Sequence, residues 1–303
     1  MFNLCLFASS ERSYTPGMRY FILDVFTEER FKGNPLAVVL DADGLSARTM
    51  QSIASEFNLS ETTFVLTPVS PIAQRRLRIF TPELELPMAG HPVVGTWFVL
   101  ATEKLVPVKE GWNAFLQEIP AGILPVDILI KDGNVAQVRM TQAVPEYFEV
   151  VSDERILHAL GLTVADVSDS LPAQFVSTGT KQLMLPLRSR DVLKRIQPHS
   201  PELGRLLEDR DSHLVYAFAE EDGLFYARGF SAAGSKMSED PATGSAAGGL
   251  GAYLWKHRNM ASAFRIQQGF EMGRGATIEV EVTGNGHIVQ VGGSAVIVAR
   301  GEL

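Results

Sequence analysis

Two stretches of small and apolar residues share one outline, LPMAGHPVVGTWFVLATE at 86–103 and SEDPATGSAAGGLGAYLW at 238–255. Each places a titratable residue directly before a proline, His91 in the first and Asp240 in the second, and a glycine-containing helical run follows. A helix that is apolar nearly all round is a buried helix. The sequence therefore predicts two buried helices, each of which needs strands wrapped around it.

The rest of the chain repeats in the same order. His91 and Asp240 are 149 positions apart, and the motifs RIFTP and RGFSA, which precede them, are 150 positions apart. Matching order at a slowly drifting offset indicates a duplicated unit. Strand-like runs and Asp-Gly hairpin turns at 132–133 and 222–223 surround both helices. These features predict an α+β fold of two domains, 18–141 and 142–303, with the strand near 292–303 a candidate to join the first domain.

Bulk properties narrow the class of protein. The 303 residues carry a formal net charge of −8 without a basic stripe, which disfavours binding to nucleic acid. No apolar run reaches the roughly 18 residues of a membrane span, and the start MFNLCLF lacks the basic lead-in of a signal peptide. The single cysteine, Cys5, fits a reducing cytoplasm, and residues 1–17 are interpreted as an N-terminal extension.

The two helix starts are candidate sites for an anion. The first N–H groups of a helix have no partner inside it, and the helix dipole makes that end positive. We expect Pro92 and Pro241 at the first helical position, where a missing N–H costs nothing. Gly90 and Gly244 would let a ligand approach the backbone. Two such ends, one from each repeat, would hold a small carboxylate with His91 and Asp240 on either side, an arrangement suited to proton transfer.

Structural explanations also fit these residues. An aspartate before a proline is a common helix N-cap, and small residues can simply allow tight packing. Glu61 opens a strand in NLSETTFVL, and spacing alone does not prefer it over Glu56. The chain has no His-x-x-x-His, no cysteine cluster, and neither a phosphate loop nor a dinucleotide fingerprint, so no metal and no cofactor are predicted.

Several ordered motifs resemble the PhzF family of phenazine-biosynthesis-type isomerases, which is similar in fold to diaminopimelate epimerase. They are DVFTEERFKGNPLAVVLDADGLS, EFNLSETTFVL, RIFTPELELPMAGHPVVGT, EDPATGSAA and QQGFEMGR. The resemblance covers about 18–303. It implies two similar domains, each a curved antiparallel sheet or barrel around a central helix, with the active site between them. It also implies a metal-free, cofactor-free isomerase that is usually a homodimer.

The resemblance also assigns roles. The epimerase has a cysteine at each helix start, and the motifs place His91 and Asp240 there. The catalytic acid/base glutamate falls on Glu61, and Gly90, His91, Gly244 and Ser245 would bind the substrate carboxylate. Two departures, Gly275-Ala276 after EMGR and Thr180-Lys181 after VSTG, predict a changed pocket lining.

The predicted reaction is a proton shift on a small carboxylate-bearing substrate. Glu61, in a dry pocket, takes a proton from one carbon and returns it to another or to the same one. The helix start is expected to lower the pKa of His91, and Asp240 is expected to orient the substrate or share the acid/base work. A racemase or epimerase acting at one carbon, and an inactive carboxylate-binding protein, are the alternatives.

Overall fold

The computed structural model describes residues 17–303 except 213, 234 and 235. Cys5 and the rest of the predicted extension up to residue 16 lie outside the described residues. Gly17 donates its N–H to the carbonyl of Leu303, so the two ends of the described chain are adjacent. Within the described residues, no helix combines the length and apolar character that crossing a bilayer requires.

The secondary structure follows the predicted order. The first half of the chain contains β1 (Arg19–Val25), β2 (Asn34–Val39), α1 (Ala47–Phe57), β3 (Glu61–Leu66), β4 (Arg75–Phe80), β5 (Glu85–Leu86), α2 (Gly90–Thr102), β6 (Gly111–Ile119), β7 (Gly122–Lys131) and β8 (Asn134–Thr141). The second half contains β9 (Glu146–Val150), α3 (Glu154–Ala159), β10 (Gln174–Ser177), β11 (Lys181–Pro186), α4 (Arg190–Lys194), α5 (Ser200–Glu208), β12 (Leu214–Glu221), β13 (Leu224–Ala233), β14 (Lys236–Asp240), α6 (Gly244–Arg258), β15 (Phe264–Gln268), β16 (Ala276–Thr283), β17 (Ile288–Gly293) and β18 (Ala295–Glu302).

Strand pairing is duplicated between the halves. In the first half β1, β2, β3, β4, β6, β7 and β8 are neighbours in that order, and β2–β3 and β4–β6 are parallel. In the second half β10, β11, β12, β13, β15, β16 and β17 repeat the order, with β11–β12 and β13–β15 parallel. The α+β fold of two pseudo-repeats is confirmed, with mixed rather than wholly antiparallel sheets.

The halves are joined at a seam and by an exchange of strands. Strand β8 pairs with β17, which makes one continuous sheet across the molecule. Strand β9, which follows the strands of the first half, pairs with β10 of the second half. Strand β18, which follows the strands of the second half, pairs with β1 of the first half. Pairing among the described strands runs from β18 to β9 without closing. The boundary between domains at 141/142 stays a prediction.

The two central helices are buried as their composition predicts. In α2 the side chains of Val93, Val94 and Trp97 are fully buried, and in α6 the same holds for Leu250 and Tyr253. Both helices contribute to a single apolar core that extends across the seam. Their starts are therefore fixed by packing on every side, which positions the backbone with little freedom.

A glycine in α6, Gly248, leaves room for a polar side chain that packs against the helix. A Cβ at Gly248 would lie 1.8 Å from Oε1 of Gln142. Gln142 is buried and held at both ends of its amide, because Nε2 donates to the Gly244 carbonyl and Oε1 accepts from Thr178 Oγ1. The side chain at 142 therefore cannot move aside without losing both hydrogen bonds.

We predict that Gly248→Ala lowers the free energy of unfolding by about 1–3 kcal/mol, because displacement of Gln142 outweighs the better helix propensity of alanine. Gly44→Ala is the control, since a Cβ at Gly44 meets no atom within 4 Å. It should change stability by less than about 0.5 kcal/mol. Urea unfolding of the two variants measures this, and a Gly248→Ala protein as stable as the control would contradict the packing argument.

Candidate active site

The starts of α2 and α6 touch at the junction of the two halves. A Cβ at Gly90 would lie 3.2 Å from Cα of Gly244 and 3.2 Å from the backbone nitrogen of Ser245. Neither helix start is capped by a side chain, since Ala89 has no polar group and Thr243 makes no capping hydrogen bond. The first-turn N–H groups of both helices therefore converge on one small region.

Matching ion pairs define which residues correspond between the halves. Arg78 binds both oxygens of Glu85 at 2.7 and 2.6 Å, and Arg228 binds both oxygens of Glu239 at 2.8 Å each. Each glutamate stands five residues before the helix start, Gly90 or Gly244. These pairs brace the short strands β5 and β14, each of which delivers the chain to a helix start.

When positions are counted from these two glutamates, His91 corresponds to Ser245, and Asp240 corresponds to Leu86. The expected equivalence of His91 and Asp240 at the two helix starts was wrong, as was the placement of Pro92 and Pro241 at the first helical position. Pro92 is the third residue of α2, and Pro241 lies between β14 and α6. Neither position requires a backbone N–H, so a proline is tolerated at both. The His-Pro and Asp-Pro pairs are therefore similar in sequence although they stand at different distances from their helices.

Glu61, His91 and Asp240 nevertheless come together. Glu61 Oε2 lies 3.1 Å from His91 Nε2, and neither atom makes a hydrogen bond with any other described group. His91 is buried, while the Glu61 side chain is 17% exposed and so borders on solvent. Glu56, the alternative glutamate, is exposed on α1. The arrangement therefore places a carboxylate in contact with the imidazole at the start of α2.

Asn34 connects the two halves at this point. Its Nδ2 lies 3.2 Å from His91 Nδ1 and donates to Asp240 Oδ1 at 2.7 Å and to the carbonyl of Ala242 at 2.9 Å. The carbonyl can only accept, which fixes the orientation of the amide. Asn34 is fully buried. Sequence reasoning missed it, because no local pattern connects Asn34 with His91 or Asp240.

A second amide fixes the other oxygen of Asp240. Gln268 accepts from the Thr243 N–H and donates to Thr243 Oγ1. Thr243 must therefore donate its own hydroxyl hydrogen to Asp240 Oδ2, at 2.7 Å. Each carboxylate oxygen of Asp240 thus accepts one hydrogen bond, and the carboxylate is held rigidly.

The electrostatics of the three ionisable groups are coupled. Burial lowers the pKa of His91, but the neighbouring Glu61 carboxylate, followed by Asp240 and the Pro35 carbonyl, raises it, and the net direction is upward. The expected lowering by the helix start was wrong, because two carboxylates outweigh it. Burial raises the pKa of Asp240, against the lowering influence of His91.

Polar side chains also surround the start of α6. Gln142 donates to the Gly244 carbonyl, and Gln182 Nε2 donates to Ser245 Oγ at 2.9 Å. The signal for Gln182 in the sequence is one glutamine within the otherwise apolar strand QLMLPL. A lone polar residue on a buried strand needs a buried partner, and that partner could not be named without the fold.

Of the residues that depart from the family motifs, Lys181 lies away from this centre. Lys181 points to the opposite face of β11 from Gln182, where its ammonium pairs with Glu149 and lies 4.8 Å from the ring of Phe148. The expectation that Lys181 lines the pocket was wrong, because strand side chains alternate. Arg274, from EMGR, pairs with the buried Asp24 and ties the β15–β16 loop to the β1–β2 loop.

The raised pKa of His91 predicts a measurable titration. Since Glu61 stabilises the imidazolium, the His91 resonances should titrate above 6.5, and Glu61→Gln should lower the midpoint. The ion pair stabilises the fold fully below the unfolded-state pKa of about 6.5, and this stability is lost as pH rises through the folded-state pKa. NMR titration measures it, with Glu56→Gln as control. A wild-type midpoint below 6.5, or one that Glu61→Gln leaves unchanged, would contradict the coupling.

Comparison with known proteins gives the family. The model of the phenazine biosynthesis-like proteins, PhzC-PhzF, matches residues 23–301. The trans-2,3-dihydro-3-hydroxyanthranilate isomerase of Pseudomonas aeruginosa is 35% identical over 289 residues, which cover 94% of this chain and 98% of that protein.

Solved structures agree with this match. A PhzF-family phenazine biosynthesis protein of Bacillus anthracis superposes with a TM-score of 0.85 at 30% identity, covering 96% of this chain and 99% of that one. A hydroxyproline epimerase of Agrobacterium vitis shares the fold alone, with a TM-score of 0.67 at 13% identity over 96% of this chain and 93% of that one. The chain therefore belongs to the PhzF family of isomerases.

Proposed function

We propose that the protein moves a proton between carbons of a small carboxylate-bearing substrate bound where the two halves meet. The observation that carries this proposal is the convergence of Glu61, His91 and Asp240 on two touching, uncapped helix starts. An anion site and an acid/base group at one place are what a proton shift next to a carboxylate needs. No metal or cofactor enters the proposal.

The substrate carboxylate accepts hydrogen bonds from the helix starts. The N–H groups of Gly90 and His91 on one side, and of Gly244 and Ser245 on the other, supply the donors. Both helix dipoles place their positive ends at this point, so the site favours a negative group before any side chain is counted. The anchored carboxylate fixes the neighbouring carbons relative to Glu61.

Glu61 is the proposed catalytic acid/base. Its carboxylate removes a proton from carbon, and the electron pair of that C–H bond is delocalised into the substrate. The resulting carboxylic acid then delivers the proton to a second carbon, so that proton and charge balance within one cycle. His91, beside Glu61 at 3.1 Å, holds the orientation of the carboxylate.

Asp240 is the proposed orienting group on the other side of the substrate. Its two oxygens already accept hydrogen bonds from Asn34 and Thr243, and each keeps a lone pair for a substrate donor. The counterpart of His91 in the second half is Ser245, so the second half lacks a carboxylate–imidazole pair like that of Glu61 and His91. This asymmetry favours a shift through one base over a racemase or epimerase with a base on each face, the alternative.

The relative from Pseudomonas aeruginosa suggests the first substrate to test, trans-2,3-dihydro-3-hydroxyanthranilate. In deuterated water we expect the wild type to convert it with deuterium appearing at a new carbon. Glu61→Gln should lose turnover and exchange by at least about 100-fold while the dissociation constant changes little. Glu56→Gln, on exposed α1, is the matched control and should keep wild-type rates. NMR of substrate and product measures all three proteins.

The outcomes separate the alternatives. Wild-type exchange in Glu61→Gln would show that another group is the base. Deuterium at the starting carbon with inverted configuration would indicate an epimerase. Tight binding by the wild type without any exchange would indicate a carboxylate-binding protein of the same fold.

A further inference from the structure

Gln182 lies on β11, the strand that corresponds in the second half to β2, which carries Asn34. Asn34 Nδ2 contacts the second residue of α2, His91, and Gln182 Nε2 donates to the second residue of α6, Ser245. Both strands also pack against the interiors of these helices. Leu36 occupies the space that a Cβ at Gly95 would need, and Met184 occupies the space at Gly249.

We propose that Gln182 is a positioning residue that makes Ser245 a hydrogen-bond donor to the substrate carboxylate, an inference that rests on the proposed function. A serine hydroxyl has one hydrogen to give. Because Gln182 Nε2 donates to Ser245 Oγ at 2.9 Å, the Ser245 hydrogen points elsewhere, and no described group accepts it. Ser245 is partly exposed at the junction of the helix starts, where a carboxylate would accept that hydrogen.

The surroundings of Gln182 fix the direction of this hydrogen bond. Gln182 is 3% exposed, and its Oε1 is buried without a partner among the described groups, 3.9 Å from where a Cβ at Gly249 would lie. The flipped amide would place two N–H donors in this apolar space and would take the Ser245 hydrogen. Orphaned N–H groups are rarer in proteins than carbonyls with unused lone pairs, so the donating orientation is favoured.

The burial of Oε1 also argues against a role in stability. A polar atom buried without a partner costs free energy of folding. Replacing Gln182 by methionine removes that atom at nearly the same volume, next to Met184. A residue retained only for packing would be better as methionine, whereas a residue that orients Ser245 requires the amide.

The test is calorimetric titration with anthranilate, a stable aromatic carboxylate, and with 2-aminobenzamide, its neutral amide analogue. We expect Gln182→Met to weaken anthranilate binding about fivefold and Gln182→Glu to weaken it about 20-fold or more, because a glutamate takes the Ser245 hydrogen and adds a negative charge. Binding of 2-aminobenzamide should change less than about twofold for Gln182→Met, whose thermal midpoint should not fall.

A double-mutant cycle with Ser245→Ala identifies the route of the effect. If Gln182 acts through Ser245, Gln182→Met adds nothing to Ser245→Ala. A full additional loss in that background, an equal loss for 2-aminobenzamide, or unchanged anthranilate binding would overturn the proposal. Unchanged binding by Ser245→Ala alone would refute the Ser245 hydroxyl as a donor to the carboxylate, and the role of Gln182 with it, while leaving the backbone anchor of the proposed function untouched. Binding needs no turnover, so the test is separate from whether Glu61 catalyses a proton shift.

Discussion

The positive ends of two buried helices lie next to each other at the centre of this protein, and nearby carboxylates offset the positive potential that results. Each helix start carries the equivalent of about half a positive charge, and the two are so close that a Cβ at Gly90 would lie 3.2 Å from Cα of Gly244. The carboxylates of Glu61 and Asp240 supply negative charge beside them. Because packing fixes both helices on all sides, the proposed anion binding depends on the backbone rather than on any one side chain.

Duplication allows the two halves to divide the work. Each half uses a strand, an arginine–glutamate brace and a helix start in the same register, but the residue after the first helical glycine is His91 in one half and Ser245 in the other. In the proposed mechanism the first half contributes the acid/base pair and the second contributes an anchoring hydroxyl. Asn34 and Gln182 lie on corresponding strands, β2 and β11, and Asn34 donates a hydrogen bond across the junction to Asp240.

The sequence predicted the parts of the fold that depend on local periodicity. The buried helices and the hairpin turns at Asp132-Gly133 and Asp222-Gly223 follow from local patterns, and the structure contains them. The register between the halves did not follow, because the His-Pro and Asp-Pro pairs align by type while standing at different distances from their helices. The braces of Arg78 and Arg228 reveal the register only once the strands are paired.

The supporting residues of the site depend on contacts between distant positions. Asn34 and Asp240 are 206 positions apart, and Gln182 and Ser245 are 63 apart. No local pattern connects such pairs, so the sequence could nominate His91 and Asp240 from their motifs and Glu61 by family resemblance, but not the amides that orient them. The direction of the His91 pKa failed for the same reason, since two carboxylates from other elements decide it.

The most direct test of this account is a crystal structure of the protein with anthranilate bound. The account predicts that the carboxylate lies between the starts of α2 and α6, with its oxygens about 3 Å from backbone nitrogens of both helices and the ring against Glu61. A carboxylate bound away from the helix starts, or held by one helix while the other is separated from it, would contradict it.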